Sequence, residues 1–234
     1  MAVDGHRYAG LESAFRENMI GVYQRLFWAL GNPADAEAAT EKVCFQVLLG
    51  TDYPAPVDRV AEATATACAQ AVADHWQNEY GLSATTWIEV SASTGGRAAT
   101  GPRLDQLLEP LIPRSRRLLL ECATRRRGVA DLAEMFASPE MQIREDLLRG
   151  LLQLATGSAA APDPADVFCV RAHRVLSYLQ DLVAARRPRR FHANREEAFA
   201  LTAAARLFGA VPGMDLPRRQ FTVALEWLLM EAAG

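Results

Sequence analysis

Between Leu11 and Leu30 the large apolar side chains fall at Phe15, Met19, Val22, Tyr23, Leu26, Phe27 and Leu30. That three-and-four spacing gives a helix one buried face. The period returns along most of the chain. It predicts a helix over Val57–Glu79, with Val60, Ala63, Ala67, Ala71, Val72 and Trp76 on one side. It also predicts a helix over Arg114–Ala123 and one that carries Met141, Ile143, Leu147, Leu148, Leu151 and Leu154. Only Thr85–Val90 has the look of a short strand. The expected fold is all-α, with a three-helix bundle at the front.

The second helix has the plainest start. Residues 32–50 read NPADAEAATEKVCFQVLLG. Asn32 can accept from the first free backbone amides, Pro33 presets φ at the first helical position, and Asp35 favours the positive helix end. Val43, Phe45, Val47 and Leu48 form an apolar stripe, leaving Asp35, Glu37 and Glu41 for the exposed side of the early turns. An acidic ridge on a packed helix is a surface for a basic partner; a plain solvated face is the alternative.

Composition changes mark the joints. Residues 81–103 are rich in Ser, Thr and Gly and read as a flexible linker. The expected division is a helical domain over 1–82, a linker over 83–104, a second domain over 105–157, and a helical C-terminal extension over 158–234. In the second domain a short helix, Val129–Phe136, precedes a longer one opened by Ser138 as cap and Pro139 at its first position. A short helix, a tight turn and a long helix make a helix-turn-helix layout. The extension reads as three helices, near Val167–Ala185, Arg195–Phe208 and Pro217–Ala233, with RRPRRFHAN between the first two. That arginine cluster reads as a solvated joint, or as a dock for the acidic front domain or for nucleic acid.

Charge is uneven along the chain. Residues 1–80 carry five Arg or Lys against eleven Asp or Glu, whereas residues 113–155 carry eight against six and residues 160–234 ten against eight. Such asymmetry points to two different partners or to two parts that attract each other. No apolar run of about 18 residues occurs, so no membrane span is expected. The opening MAVDGHRYAG carries no export pattern, so the reading is cytoplasmic. Cys44, Cys68, Cys122 and Cys169 form no CxxC pair and read as reduced core thiols. Cys169 and His173 sit four apart, but a structural zinc site wants four ligands, so neither metal nor other cofactor is expected. No phosphate-binding glycine loop or nucleophile–histidine pattern occurs, so no enzyme is read here.

Two segments together resemble the extracytoplasmic-function class of bacterial RNA polymerase sigma factors. Gly31, Asn32, Asp35, Ala36, Glu37, Thr40, Glu41 and Val43 are similar to the G-N-x-x-D-A-E-D and T-x-E-x-F elements of that family's second region. Ile112, Pro113, Arg117, Leu119 and Leu120 are similar to the Leu-Pro-x-x-x-Arg start of its fourth region. Asp131, Leu132, Ala133 and Glu134 then match its E-I-A element. Glu140, Ile143, Arg144, Leu147 and Arg149 fall at its recognition-helix positions. The likeness spans about residues 11–155. It implies core RNA polymerase as partner, with Asp35, Glu37 and Glu41 meeting the basic clamp of the largest subunit. It also implies promoter DNA, met by Arg125, Arg126, Arg127, Gln142, Arg144 and Arg149, and an anti-sigma factor as a further partner.

The sequence departs from that pattern in two places. The third helix of the family ends in a basic run that handles strand opening; here ADHWQNEYG, residues 73–81, has no Arg or Lys. Trp76 and Tyr80 are the residues there able to stack on an unpaired base. Glu145 and Asp146 bring negative charge to the recognition helix. The leading expectation is a divergent sigma factor that directs promoter-specific initiation. The alternative is a sigma-derived regulator without promoter opening, associated with polymerase or sequestering an anti-sigma factor.

Overall fold

A computed structural model describes residues 18–50, 57–93, 103–157, 170–213 and 216–233. The described residues form helices and no strand. They are α1 (18–30), α2 (Pro33–Gly50), α3 (Val57–Tyr80), α4 (Ala84–Ser93), α5 (Leu104–Leu108) and α6 (Pro113–Arg125), followed by α7 (Val129–Met135), α8 (Glu140–Thr156), α9 (Ala172–Val183), α10 (Arg195–Gly209) and α11 (Arg219–Ala233). The all-helical expectation therefore holds, and Asn32 caps α2 as read: its side-chain oxygen accepts from Ala34 N at 2.9 Å and Asp35 N at 3.2 Å.

Two local expectations are corrected. Residues 84–93 of the expected linker, with their strand-like run, form the helix α4. Ser83 Oγ accepts from Thr86 N at 3.1 Å, and Trp87 and Val90, three apart, turn inward together; Val90 is fully buried. Burial of that face outweighs the β preference of Thr and Ile. Residues 94–102 lie outside the described part. At the other site Ser138 does not cap α8. Pro139 holds that position, extended at φ −58° and ψ 141°, while Ser138 Oγ donates to Phe136 O at 3.1 Å and accepts from Arg114 Nη2 at 3.1 Å.

The C-terminal segment supplies the centre of the molecule. Helix α10 packs against α8, α9, α4 and α6, and Leu201, Ala204, Leu207 and Phe208 are fully buried. Small residues permit the close approach. A Cβ on Gly209 would stand 2.5 Å from Trp28 Cα, and one on Gly31 would stand 2.4 Å from Ala205 O. The start of α10 is a complete capping box: Asn194 Oδ1 accepts from Glu197 N at 2.8 Å, and the Glu197 carboxylate accepts from Asn194 N at 2.9 Å. That same buried carboxylate takes Arg171 N at 3.1 Å and Arg171 Nε at 2.6 Å. Burial alone would push the Glu197 carboxyl up, but these donors hold it below the usual range.

Candidate functional surfaces

The acidic helix comes first. Of its three carboxylates only Glu41 is exposed; Asp35 is 5% and Glu37 3% accessible. The expected open ridge is thus covered, and its covers are arginines of the C-terminal segment. Arg187 Nε lies 2.9 Å from Asp35 Oδ1, and Arg187 Nη2 lies 3.5 Å from Glu79 Oε1, with Arg190 paired to the same Glu79. Burial raises the Asp35 carboxyl above its ordinary value despite Arg187 beside it, with the nearby Glu79 charge adding to the rise.

The stretch 186–194 is hydrogen-bonded onto the front bundle. Asn32 Nδ2 donates to Arg186 O at 2.9 Å, Phe191 N donates to Glu79 O at 3.2 Å, and Ala193 N donates to Tyr80 O at 2.8 Å. Gly81 lets the chain pass: at φ +65°, its Cβ would stand 2.0 Å from His192 Nδ1. Of the readings for RRPRRFHAN, docking on the acidic front residues is the one observed.

Glu37 is covered separately. Arg218, just ahead of α11, donates from its backbone N to Glu37 Oε1 at 3.0 Å and from Nε to both carboxylate oxygens at 3.0 Å, while Nη2 pairs with Oε2. Sequence reading missed this pair, whose members stand 181 positions apart. The acidic front and basic rear were its signal, because the two ends of that imbalance meet here.

Trp76 and Tyr80 are 0% and 1% accessible, so stacking on an unpaired base is not open to them in this conformation. They sit among Trp87, Tyr178 and Phe191, with the Trp76 and Tyr80 ring centres 5.0 Å apart and Tyr80 edge-on to Phe191 at 5.5 Å. His75 beside them is pushed down to about 4 by burial and by Arg187 and Arg190, so it stays neutral at physiological pH. Burial pushes the thiols of Cys44 and Cys122 up to about 12 and that of Cys68 to about 11, which leaves them as core side chains without thiolate character. Cys169 lies outside the described residues, and among the described ones no cluster of His, Cys, Asp or Glu is arranged for a metal ion.

The α7–turn–α8 pair carries the second surface. Gln142, Arg144, Glu145 and Arg149 reach solvent on α8, while Ile143, Leu147 and Leu151 face inward. Arg144 pairs with Glu140 at 2.9 Å and Arg149 with Asp146 at 3.7 Å. Asp146 is not the surface charge expected. It is buried, and Arg114 Nε holds it at 2.6 Å, joining α6 to α8.

The three consecutive arginines part company. Arg125 and Arg127 pair with Glu121 at 3.6 and 3.2 Å and line a shallow groove with Asp131, Glu134 and Met135. Arg126 takes a left-handed turn at φ 54° and points the other way. Its guanidinium donates to Leu182 O and lies 4.8 Å above the Phe208 ring. It is therefore an internal strut between α6, α9 and α10, corrected from a candidate DNA contact. No family model, curated protein or solved structure matches this chain.

Proposed function

We propose that this chain is a divergent sigma factor that binds core RNA polymerase through its front bundle and meets promoter DNA through α7 and α8. The observation that carries the reading is the solvent face of α8. Gln142, Arg144 and Arg149 stand clear of the core behind a short helix and a tight turn. Turning Asp146 inward removes one of the two charges that would repel phosphate there. On the polymerase side the contact falls to Glu41 and to Glu37 once Arg218 lifts, with Asp35 kept as a core residue. Carboxylates in such a contact act mainly on encounter rate and orientation.

A second reading rests on a separate observation. The aromatic residues needed for stacking are in the core, and residues 73–81 carry no cation. These features favour a polymerase-bound regulator that does not open the duplex, cytoplasmic and without catalytic activity of its own. Sequestration of an anti-sigma factor belongs to this reading. Among the described residues no helix is long and apolar enough to cross a membrane.

The test mixes the full chain with core RNA polymerase and a genomic promoter library. Binding with initiation at particular promoters is the expected result; binding without initiation selects the regulator, and no binding to polymerase rejects both polymerase-bound forms. In a duplex titration, Arg144→Ala/Arg149→Ala should flatten the salt dependence by about two units of log–log slope if each arginine meets one phosphate. An unchanged slope removes both as phosphate contacts.

A further inference from the structure

Helix α11 is attached to the molecule differently from every helix before it. Among its described side chains only Leu225 is buried. Leu225 and Phe221 rest on Met19, Cys44 and Phe45 in an apolar cluster separate from the main core. At the near end Arg218 clasps Glu37. Arg218 is 69% exposed while the Glu37 side chain is 4% exposed, so the buried acid is met by an arginine that reaches it from the solvent side.

The register is informative. From Arg218 to Leu225 is seven residues, and from Glu37 to Cys44 is seven, so α11 lies along α2 in the same direction. On α2 the positions Glu37, Glu41 and Cys44 form one helical stripe, acidic first and apolar after. Arg218, just ahead of α11, and Phe221 and Leu225 on it form the matching stripe, basic first and apolar after. Between them is a mismatch. Glu41 is exposed with no ion-pair partner among the described residues, and counting four residues on from the Arg218–Glu37 pair puts Thr222 at the corresponding position of α11.

We propose that α11 is an internal occupant of a helix-binding seat on α1 and α2, and that the seat's external ligand is a basic amphipathic helix. Such a helix carries Arg or Lys at two positions four apart, followed by apolar residues. It meets both Glu37 and Glu41, where the α11 segment meets only Glu37 through Arg218, and that second pair lets it displace the clasp. Resting on the polymerase reading above, the inference makes the closed chain a self-masked form whose docking surface opens without disturbing the core.

Two variants with opposite effects test it on the full chain. Arg218→Gln loosens the clasp and should tighten binding of core RNA polymerase by about tenfold, the gain expected when a masked state is depopulated. Thr222→Arg supplies the missing partner to Glu41 and should weaken that binding by about threefold, the worth of an exposed ion pair. The trans probe is a labelled peptide of residues 216–233, expected to bind the Arg218→Gln chain better than the parent and to compete with polymerase. Polymerase affinity that does not move with either variant, while the parent binds, overturns the inference and leaves the polymerase reading standing. If no chain binds polymerase yet the peptide prefers Arg218→Gln, the seat stands and the polymerase reading falls. Should the peptide show no preference, the seat is rejected.

Discussion

The chain ends in two helices of fifteen residues each, α10 and α11, and they are held in opposite ways. Helix α10 is buried on nearly all sides and largely small: Ala198, Ala200, Ala203, Ala204 and Ala205 let neighbours close in from several directions. Two of its charged residues are also drawn in, Glu197 by its capping box and Arg171, and Arg206 with its guanidinium 4.7 Å above the Trp28 ring. Helix α11 carries larger apolar groups on two faces and has a seat for only one. Val223 and Trp227 remain 59% exposed. A helix whose small residues admit neighbours all round becomes a hub, whereas one with bulky opposite faces can be held by one and still leave the other open. The C-terminal segment is therefore two things: the middle of the core, and a clip on its edge.

The sharpest way to break that contrast is to truncate one large residue in each helix. Phe208→Ala should cost about 3–5 kcal/mol, the range for a buried aromatic, and should lower the main unfolding transition as a whole. It also removes the ring beneath Arg126. Leu225→Ala should leave that transition within about 1 kcal/mol of the parent, because its cluster can open alone. In hydrogen exchange the effect should be confined to α11. Equal shifts of the main transition by the two variants would dissolve the distinction.

A second comparison uses glycines with positive φ. Gly31 sits at φ +66° with Ala205 backbone 2.4 Å from a would-be Cβ, whereas Gly213 sits at φ +82° with nothing within 4 Å. Gly31→Ala combines a left-handed backbone cost with overpacking against the hub helix, about 2–4 kcal/mol in all. Gly213→Ala meets only the backbone cost, about 1–2 kcal/mol. Urea unfolding of the two variants measures the difference, and near-equal losses would show that the approach of α1 to α10 relaxes freely.

Much of the fold is written in local pattern, and the exceptions have physical causes. The period of α1, α3 and α8 and the Asn-Pro start of α2 need only near neighbours, so sequence shows them. Helix α4 was hidden because Thr85, Thr86 and Ile88 favour strands locally, and the helix depends on a distant aromatic cluster to receive Trp87. The carboxylates of α2 were legible as an acidic stripe but not as covered ones. Amphipathic spacing says which residues share a face; it does not say whether Arg187 or Arg218, far along the chain, will come to lie over it. Likewise RRR at 125–127 looks like one basic patch, and only the left-handed turn at Arg126 sends the middle side chain inward.

The smallest effect concerns the covered acid of the hub side. Arg187 is 55% exposed while the Asp35 side chain is 4% exposed, so the two ends of this pair are not equivalent. Arg187→Gln leaves an ionised carboxylate covered and close to Glu79, which should cost about 1–3 kcal/mol at neutral pH. Asp35→Asn leaves behind only a cation already in water, so its loss should stay within about 1 kcal/mol, the worth of an exposed pair. The pH dependence fixes the sign. The Asp35 carboxyl is raised above 3.8 in the fold by burial first, so the protonated form is the one the fold prefers. Its contribution is fully present below the unfolded pKa and is lost as pH rises through the raised folded value. Stability of Asp35→Asn relative to the parent should accordingly improve from pH 4 towards pH 7, read from urea midpoints at each pH. If Asp35→Asn instead loses ground with rising pH, the attraction of Arg187 and Arg190 outweighs desolvation at this carboxylate. The pair would then be a net brace for the closed molecule, in contrast to the Glu37 clasp.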